Sequence, residues 1–340
     1  MEKGLDIAGR KIGRGRACFI IAEAGINHNC DLSIAHQMID AAARAGASAI
    51  KFQTFKADRL VTSADPQGKS QWTMLRDYEL SEDAHRQLWD YCNQKKFLFI
   101  SSPFDERSAD FLDGLGMAAF KIASGELTHL KFLAHVARKK KPMIVSTGMA
   151  TLEEVERAVS AIREAGNSEM ALLHCVSNYP AHPKEANLRA MQTLAEKFKV
   201  PVGFSDHTLG IEIALAAAAL GACVIEKHFT LDSSLPGPDQ GFSLEPHDMS
   251  ELVRCVRNIE SALGDGQKIP TASELQTARG ARKSLVAARL IKAGVRLTEE
   301  LIDMKRPGTG LPPTHLNDVV GRTAKTDIPE GAILSLDMLT

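Results

Sequence analysis

The sequence predicts an α/β protein: a (β/α)₈ TIM barrel followed by a small domain of irregular and β structure. Eight short apolar segments alternate with amphipathic helical segments between residues 18 and 263, and this alternation is typical of parallel strands joined by helices. The apolar segments are nearly continuous, as expected of strands that are buried on both faces. No glycine-rich dinucleotide fingerprint follows the first segment, which disfavours the doubly wound open sheet as the competing fold.

Each element of the barrel is predicted from its own pattern. Strands are expected at residues 18–24, 48–53, 97–101, 118–123, 142–146, 170–175, 201–207 and 222–228. Helices are expected around residues 32–45, 81–95, 106–115, 130–139, 151–165, 187–198, 209–220 and 246–263. Ser81 is placed as a helix N-cap, and Thr151 with Glu154 has the spacing of a capping box. The polar segment 54–79 is expected to be a long loop.

The character of the chain changes after the last of these helices. A polar, turn-rich stretch comes first, and beyond it short apolar segments alternate with Gly and Pro residues, which indicates short strands and turns. Segments 291–302 and 328–339 echo each other, which predicts a small internal pseudo-repeat. We therefore expect a barrel domain over residues 1–266, a linker over 267–282 and a compact domain over 283–340.

The bulk composition excludes some classes of function. The 41 Lys and Arg residues nearly balance the 42 Asp and Glu residues, so no overall field attracts nucleic acid or an anionic membrane surface. The six cysteines are scattered without CxxC pairs, which favours a reducing compartment. The chain opens without an apolar signal segment and contains no apolar run long enough for a membrane span. We expect a cytoplasmic protein with no nucleic-acid or membrane partner.

Unusual polar residues fall where the predicted strands end. In a (β/α)₈ barrel these carboxyl ends surround one mouth, where the chemistry takes place. Because side chains alternate along a strand, Ser205 shares a face with His207, and Glu226 shares a face with His228. The ring of candidate residues includes Glu23, Lys51, Gln53, Ser102, Lys121, Ser124, Glu126, Ser146, Tyr179, Ser205, His207, Glu226 and His228.

Histidine and lysine residues in this ring indicate two kinds of ligand. His207 and His228 are imidazoles on neighbouring strands with carboxylates nearby, which matches a catalytic divalent metal site with open positions. His174 is instead expected to be a hydrogen-bonded structural residue. Lys51 and Lys121 lie in apolar strands, where an ammonium group is costly unless it meets an anion. That anion is either a neighbouring carboxylate or a phosphate or carboxylate of the substrate, and the serine hydroxyls nearby favour a substrate cradle.

Ordered motifs over nearly the whole chain resemble those of the sialic acid synthase family. They lie at residues 21–28, 50–54, 121–126, 146–149, 203–208 and 226–230. Residues 305–310 and the domain around them resemble that family's antifreeze-like (SAF) module. The resemblance implies a transferase of the N-acetylneuraminate synthase type. Such an enzyme condenses phosphoenolpyruvate with N-acetylmannosamine, an N-acetylated hexosamine, to give a nine-carbon 2-keto acid and phosphate.

The resemblance also implies a role for each site residue. Phosphoenolpyruvate would be held by Lys51, Ser102, Lys121, Ser124, Ser146 and Ser205, and the reacting centre would contain Glu23, Glu126 and Glu226. The sugar site would be lined by Gln53, Tyr179 and Asp239. A divalent metal ion, Mn²⁺ or else Mg²⁺ or Co²⁺, would be bound by His207 and His228. Arg306 would reach the sugar in a partner subunit's barrel, which implies a domain-swapped homodimer.

Two residues on the sugar side, Ser177 and Gln240, differ from those frequent in the family, so the identity of the sugar stays open. The alternative is a legionaminate or related nonulosonate synthase that uses a 2,4-diacetamido-trideoxy hexose. A second alternative is an aldolase that forms a Schiff base between pyruvate and Lys51, Lys121 or Lys227. A third is a catalytically inactive sugar-binding protein, which the complete ring of polar residues disfavours.

Overall fold

The computed structural model describes residues 4–340, so residues 1–3, with which the predicted barrel domain begins, lie outside the described part. The strands are β1 (Leu5–Ile7), β2 (Arg10–Ile12), β3 (Phe19–Gly25), β4 (Ala49–Thr54), β5 (Leu98–Pro103), β6 (Phe120–Ile122), β7 (Met143–Ser146), β8 (Met170–Cys175), β9 (Val202–Asp206), β10 (Val224–His228), β11 (Ser284–Ala287) and β12 (Ile302–Lys305). Strands β3 to β10 form one sheet in the order β5-β4-β3-β10-β9-β8-β7-β6. The paired neighbours are parallel, and β5 also contacts β6. The sheet is therefore a nearly closed barrel, as predicted.

A helix follows every barrel strand. The helices are α1 (Leu32–Arg44), α2 (Ala57–Leu60), α3 (Pro66–Arg76), α4 (Glu82–Gln94), α5 (Glu106–Gly114), α6 (Leu130–Ala137), α7 (Leu152–Glu164), α8 (Ala190–Phe198), α9 (Glu212–Ala219), α10 (Pro246–Leu263), α11 (Ala272–Ala281) and α12 (Leu316–Val319). Thr151 and Glu154 form the predicted capping box at α7, and Ser81 caps α4 by accepting from Ala84 N. Within residues 4–340, none of the helices combines the length and apolar character needed to cross a bilayer.

Strand alternation sorts the apolar side chains of the barrel into two buried layers. One layer lies between strands and helices and includes Phe204 and Ile225. The other fills the barrel interior and includes Phe19 and Ala49, near the starts of their strands. The antiparallel β1–β2 hairpin, which the sequence analysis did not predict, contributes its apolar side chains to this inner layer. The hairpin therefore covers the amino-terminal end of the barrel and leaves the carboxyl ends of the strands for the site.

The segment 54–79 is more ordered than the predicted loop, because it contains α2 and α3. Asp65 caps α3 by accepting hydrogen bonds from the Gln67 and Gly68 amides, and Pro66 occupies the first turn. These are standard helix-start signals, but the helix they begin is rich in polar residues. Its weak amphipathic pattern is the reason why the segment was predicted to be a loop.

The chain divides into two compact units, one ending at Gly264 and the other running from Asp265 to Thr340. The segment 267–282, expected to be a linker, contains α11, whose start is a capping box formed by Thr271 and Glu274. In the second unit, β11 pairs with β12 in an antiparallel ladder. The pseudo-repeat has a structural counterpart, because Ile291 and Ile328 form an antiparallel bridge with each other.

The two copies of the pseudo-repeat match position by position after that bridge. A glycine with positive φ comes three residues later in each copy, at Gly294 (φ 81°) and Gly331 (φ 77°). A short 3₁₀ turn then follows at Glu299–Leu301 and at Leu336–Met338. The two similar sequence segments therefore fold into the same type of turn.

Candidate active site

The carboxyl ends of the barrel strands bring four charged side chains into one buried cluster. Lys51 Nζ lies 3.0 Å from Glu23 Oε2 and 3.4 Å from Glu226 Oε2, and Lys121 Nζ lies 3.4 Å from Glu226 Oε1. All four side chains are nearly inaccessible to solvent. We call this set the ion cluster. Its two ammonium groups and two carboxylates balance, which allows the charges to remain buried.

The predicted serines surround the ion cluster. Lys51 donates to Ser102 Oγ at 3.2 Å and Lys121 donates to Ser146 Oγ at 2.7 Å. Ser205 donates to Glu226 Oε1 at 3.0 Å. Each lysine therefore holds a hydroxyl beside it, as the predicted anion cradle requires.

Ser124 and Ser177 lie in a tight pocket over Gly148. The Gly148 amide donates to Ser124 Oγ at 3.1 Å. A Cβ atom on Gly148 would lie 2.2 Å from Ser177 Oγ and 2.8 Å from Ser124 Oγ, so a larger residue would have to displace both hydroxyls. Cys175, at the end of β8, has its thiol 3.6 Å from Ser124 Oγ. Sequence reasoning missed Cys175, although its position beside the outward-facing His174 is a signal that its side chain points inward.

The environments of the two clustered carboxylates move their pKa values in opposite directions. Burial raises the pKa of Glu23 to about 7, an effect that Lys51 opposes and Glu226 reinforces. Burial would also raise the pKa of Glu226, but Lys121 and Lys51 outweigh it and hold that pKa at about 2. Both Oε2 atoms lie within ion-pair distance of Lys51, yet neither accepts a well-directed hydrogen bond from the described residues. Two carboxylates side by side are therefore suited to different tasks.

The two lysines also differ. Burial acts to lower the pKa of Lys51, but the negative charges of Glu226 and Glu23 raise it overall. The pKa of Lys121 is lowered, because burial and the positive charge of Lys51 outweigh the attraction of Glu226. Lys51 is consequently a fixed cation. Lys121 is the less firmly protonated of the two.

His207 and His228 come together above the ion cluster, with ring centroids 5.4 Å apart. The Nδ1–H of His207 donates to Val176 O at 2.8 Å, so in the neutral ring Nε2 is the nitrogen available to a metal, as in metal-ligating histidines whose second nitrogen is anchored. His228 is buried and its Nδ1 has no hydrogen-bond partner among the described residues. Burial and the nearby charge of His207 hold the pKa of His228 well below its usual range, so this imidazole is neutral and able to bind a cation.

These two imidazoles fit part of a metal site. Within residues 4–340, no group of three or more His, Cys, Asp or Glu side chains is arranged to hold a metal ion. Asp239 Oδ2 lies 3.6 Å from His228 Nδ1, beyond hydrogen-bond distance. A cation held by His207 and His228 would thus need water or substrate for its remaining positions, which is how catalytic sites keep open coordination.

The sugar-side residues line a cavity of about 540 Å³ at the barrel mouth. Gln53 donates to Glu23 Oε1 at 3.1 Å, and the Tyr179 ring lies 4.3 Å from the His207 ring. Burial raises the pKa of Asp239 to about 6. A Cβ atom on Gly25 would lie 3.4 Å from both Asp239 Oδ2 and Glu23 Oε1. The cavity predicted to take the sugar therefore adjoins the ion cluster.

Much of the cavity wall is apolar, which sequence reasoning did not predict. The apolar lining side chains are Ile26, Leu60, Val61, Met74, Leu75, Phe104, Ala123, Met149 and Pro238. Several of them lie on or beside α2 and α3, the segment that was predicted to be a loop. A wall formed by these two short helices could not be located without knowing that the segment folds.

Three predicted residues lie elsewhere. Glu126 is in a 3₁₀ turn after β6, where its carboxylate lies 3.5 Å from His129 Nδ1 and borders the cavity but not the ion cluster. Burial raises the pKa of Glu126. Arg306 is exposed in the second unit, and its contact with a partner subunit stays a prediction. Gln240 is buried rather than facing the sugar, because it donates to Asn27 O at 3.0 Å and accepts from Thr230 Oγ1.

His174, by contrast, has the structural role expected of it. Its Nε2 is 2.8 Å from Ala186 O, and its ring lies 5.8 Å from Phe204 in the outer layer. The side chain therefore points away from the mouth.

The protein is a nearly closed (β/α)₈ barrel with a charged cluster and paired imidazoles at its mouth, which is where barrel enzymes have their active sites. Comparison with known proteins identifies the family. Residues 38–268 match the model of the NeuB family and residues 282–340 match the SAF domain. The chain belongs to the NeuB family, and the resemblance to sialic acid synthases is confirmed.

The relatives agree with this assignment. The chain is 45% identical to the N,N'-diacetyllegionaminic acid synthase of Legionella pneumophila, over 95% of this chain and 94% of the relative. It is 42% identical to the enzyme of the same name from Campylobacter jejuni, over 93% and 98% of the two chains. The solved N-acetylneuraminic acid synthetase of Leptospira borgpetersenii, in complex with citrate, superposes with a TM-score of 0.76 at 38% identity, covering 82% and 95% of the two chains.

Proposed function

We propose that this protein joins phosphoenolpyruvate to the aldehyde of an open-chain N-acetylated hexosamine, with water, to give a nine-carbon 2-keto acid and phosphate. The observation that carries the proposal is the buried ion cluster with its serine hydroxyls, next to a cavity large enough for a sugar. Two buried ammonium groups at the floor of an open mouth suit a small, multiply charged anion.

Phosphoenolpyruvate would replace internal partners of the cradle. Lys51 and Lys121 now donate to Ser102 and Ser146, and the phosphate and carboxylate of the substrate would accept from the same donors. The Ser124 hydroxyl adds a further donor at the Gly148 turn. Binding would therefore exchange protein contacts for substrate contacts without exposing the lysines.

The reaction needs a general base, and the different pKa values of the two clustered carboxylates make one of them better suited to this role than the other. Attack of C3 of phosphoenolpyruvate on the aldehyde leaves positive charge on C2, and water then adds there while the C2–O bond to phosphate breaks. A base works best when its pKa is near the working pH. Glu23, with a pKa of about 7, is suited to take the proton of the water, whereas Glu226, at about 2, stays ionised and stabilises the positive charge.

We further propose that His207 and His228 hold a divalent cation, with Mn²⁺ first and Mg²⁺ or Co²⁺ next. When bound, such a cation supplies Lewis-acid polarisation of the sugar aldehyde. The support is the available Nε2 of His207 and the unpaired Nδ1 of the neutral, buried His228. Tyr179, stacked beside His207, and the cavity wall would orient the sugar against them.

Two sugars are candidates. N-acetylmannosamine carries hydroxyls along its chain, whereas a 2,4-diacetamido-trideoxy hexose presents methyl groups and a second acetamide. The apolar wall of the cavity favours the second sugar, since apolar groups gain from burial against apolar groups. The names of the two most similar relatives described above point the same way. We therefore place the legionaminate-type substrate first.

The remaining proposals concern the assembly. We propose a domain-swapped homodimer in which Arg306 reaches the sugar of the partner's barrel, and a cytoplasmic location. Sedimentation of the protein, with and without the Arg306→Ala substitution, tests the dimer. The Arg306→Ala variant should keep the dimer and raise the KM for the sugar. A monomeric wild-type protein would contradict the arrangement.

The decisive experiment is a mass-spectrometric product screen with phosphoenolpyruvate, Mn²⁺ and a panel of 2-acetamido sugars. We expect a nine-carbon 2-keto acid from the diacetamido-trideoxy sugar, in smaller yield from N-acetylmannosamine, and none in excess chelator. Undiminished turnover in excess chelator would contradict the proposal that the reaction requires a divalent cation. Sugar binding without product under any metal would indicate an inactive binding protein.

Borohydride trapping separates the Schiff-base aldolase from this proposal. Lys227 faces away from the mouth and Lys51 is held as a cation, so Lys121 is the one lysine of the three suited to form a covalent adduct. We expect no adduct between pyruvate and Lys121 after reduction. A trapped peptide containing Lys121 would favour the aldolase.

A further inference from the structure

A second buried ion pair lies directly behind the two imidazoles. Lys227 Nζ is 2.8 Å from Asp206 Oδ2, and the two side chains are 1% and 0% exposed. Lys227 also donates to Thr208 O. The other oxygen of Asp206 accepts from the Thr208 amide at 2.9 Å and from the Thr208 hydroxyl at 2.8 Å. Asp206, Thr208 and Lys227 thus form a closed ring of contacts, which we call the clamp.

The position of the clamp relates it to the site. Asp206 and Thr208 flank His207 on both sides, and Lys227 immediately precedes His228. In the parallel ladder between β9 and β10, Lys227 is the register partner of Asp206. Because side chains alternate, the clamp lies on the outer face of the barrel while both imidazoles lie on the inner face. The clamp therefore ties together the backbone segments that carry the two histidines.

Stability alone is a poor reason for this arrangement. Around it the outer layer is apolar, with Phe204 and Ile225 on the same face. Replacing a buried ion pair by well-packed apolar side chains is often neutral or stabilising. Three lysines are buried in residues 4–340, and the other two, Lys51 and Lys121, face the mouth.

The imidazoles themselves depend on the backbone for their placement. His207 has an orienting hydrogen bond from Nδ1 to Val176 O, and Cys175 Sγ lies 3.7 Å from the same nitrogen. His228 has none at Nδ1 among the described residues; its ring packs against Phe242 at 4.9 Å between ring centroids, but no hydrogen bond to Nδ1 fixes its distance from His207. The usual device for holding a metal-ligating histidine, a hydrogen bond to its second nitrogen, is thus present for one ring and absent for the other.

We propose that Asp206 and Lys227 are positioning residues, which hold His207 and His228 at the separation that a divalent cation needs. The inference rests on the proposed function, because the cation is itself part of that proposal. The clamp touches neither substrate nor cation, and it acts by fixing the two strand ends against each other.

The test measures Mn²⁺ and phosphoenolpyruvate binding separately, by calorimetry, in the full-length wild-type protein and two variants. Asp206→Asn keeps the shape but removes the charge. The double variant Asp206→Leu with Lys227→Met replaces the pair with apolar side chains and guards against a single variant that fails to fold. Asp113→Asn is the matched control. Asp113 forms an ion pair with Lys141, with 2.8 Å between Oδ1 and Nζ, and this pair does not lie near the imidazoles.

We expect both clamp variants to bind Mn²⁺ about 10- to 100-fold more weakly, the range typical for loss of an outer partner of a metal ligand. Phosphoenolpyruvate, which contacts the ion cluster, should bind within about twofold of wild type, and the control should match wild type for both ligands. In turnover, the Mn²⁺ concentration needed for half-maximal rate should rise while the rate at saturating Mn²⁺ changes little.

Two outcomes would overturn the inference about the clamp while leaving the proposed metal site standing. Unchanged Mn²⁺ affinity in the folded double variant would show that the clamp does not position the imidazoles. An equal weakening of Mn²⁺ and phosphoenolpyruvate binding would make the clamp a general stabilising element. A wild-type protein that binds no Mn²⁺ would instead overturn the proposed metal site, and the clamp hypothesis would fall with it, so the two failures are distinguishable.

Discussion

The two sides of the barrel mouth are built in different ways. The ion cluster consists of charged side chains on barrel strands, locked to one another at 3.0 to 3.4 Å. The cavity wall beside it is largely apolar and comes from α2, α3 and the loops after the strands. Strands in a closed sheet cannot shift independently, whereas connecting segments tolerate change. We therefore expect the strands to carry the chemistry of the proposed reaction and the connections to select the sugar.

The largest effect is expected at Lys121. The substitution Lys121→Met removes a buried charge that faces both Glu226 and Ser146, and it leaves Glu226 with less compensation. We expect kcat to fall about 10³-fold, near the upper range for losing one charge-stabilising group, for every sugar alike. Steady-state phosphate release provides the measurement.

A matched lysine variant controls for this result. Lys197→Met removes an exposed lysine paired with Glu156 and should leave the rate unchanged. If Lys121→Met changed the preference between sugars without lowering the rate, it would contradict the hypothesis that the strands carry the chemistry and the connections select the sugar.

The second effect concerns pH. With a pKa of about 7, Glu23 is protonated and unable to accept a proton below that value, and it becomes ionised above it. We therefore expect kcat/KM to rise with pH through a midpoint near 7, and Glu23→Gln to lower the rate by about 10²-fold and remove this rising limb. Glu226, ionised throughout the same range, should contribute no limb there.

Glu226→Gln serves as the comparison for this prediction. It should lower the rate while keeping a rising limb whose midpoint moves below 7, because Glu23 would still titrate and the charge of Glu226 would no longer raise its pKa. A rising limb that survives Glu23→Gln unaltered would assign the proton transfer to another group.

The strand-borne half of this site could be predicted from sequence because alternation along a strand is a local property. Ser205, His207, Glu226 and His228 were placed on inward faces by counting residues, and the structure brings them together. The same count puts Asp206 and Lys227 outside. Their pairing was not predicted, because it depends on the register between β9 and β10, which is not a local property of the sequence.

The loop-borne half could not be predicted in the same way. The apolar wall depends on α3 folding back over the mouth, and that packing is a tertiary property with only a weak local signal at Asp65 and Pro66. Gln240 was expected to face the sugar because it follows Asp239 in the chain. In the structure the 3₁₀ turn that begins there directs its side chain into a buried network instead.

The third prediction tests the apolar wall. Met74→Gln keeps the length of the side chain and makes the wall polar at one point. We expect kcat/KM for the diacetamido-trideoxy sugar, relative to N-acetylmannosamine, to fall about 10-fold, the scale on which apolar pockets discriminate. The ratio is measured by competition between the two sugars.

Leu263→Gln, at an exposed leucine at the end of α10, is the control for that ratio and should not change it. Equal losses for both sugars in Met74→Gln would mean that the wall contributes to folding or closure but does not choose the substrate.

The smallest effect is expected at Gln240, which lies between the strand-borne and the loop-borne halves of the site. Its amide ties the loop that carries Asp239 to Asn27 O and Thr230. Gln240→Ala removes the donor to Asn27 O and leaves Thr230 Oγ1 with its contacts to Asp232, at a cost of about 1–3 kcal/mol in unfolding free energy. We expect the KM for the sugar to rise about threefold through displacement of Asp239, on the scale of a fraction of that free energy, with kcat little changed. Gln192→Ala, on the exposed side of α8, should alter neither quantity. A fall in kcat with unchanged KM would instead connect this loop to the ion cluster, and the two halves of the mouth would then act as one.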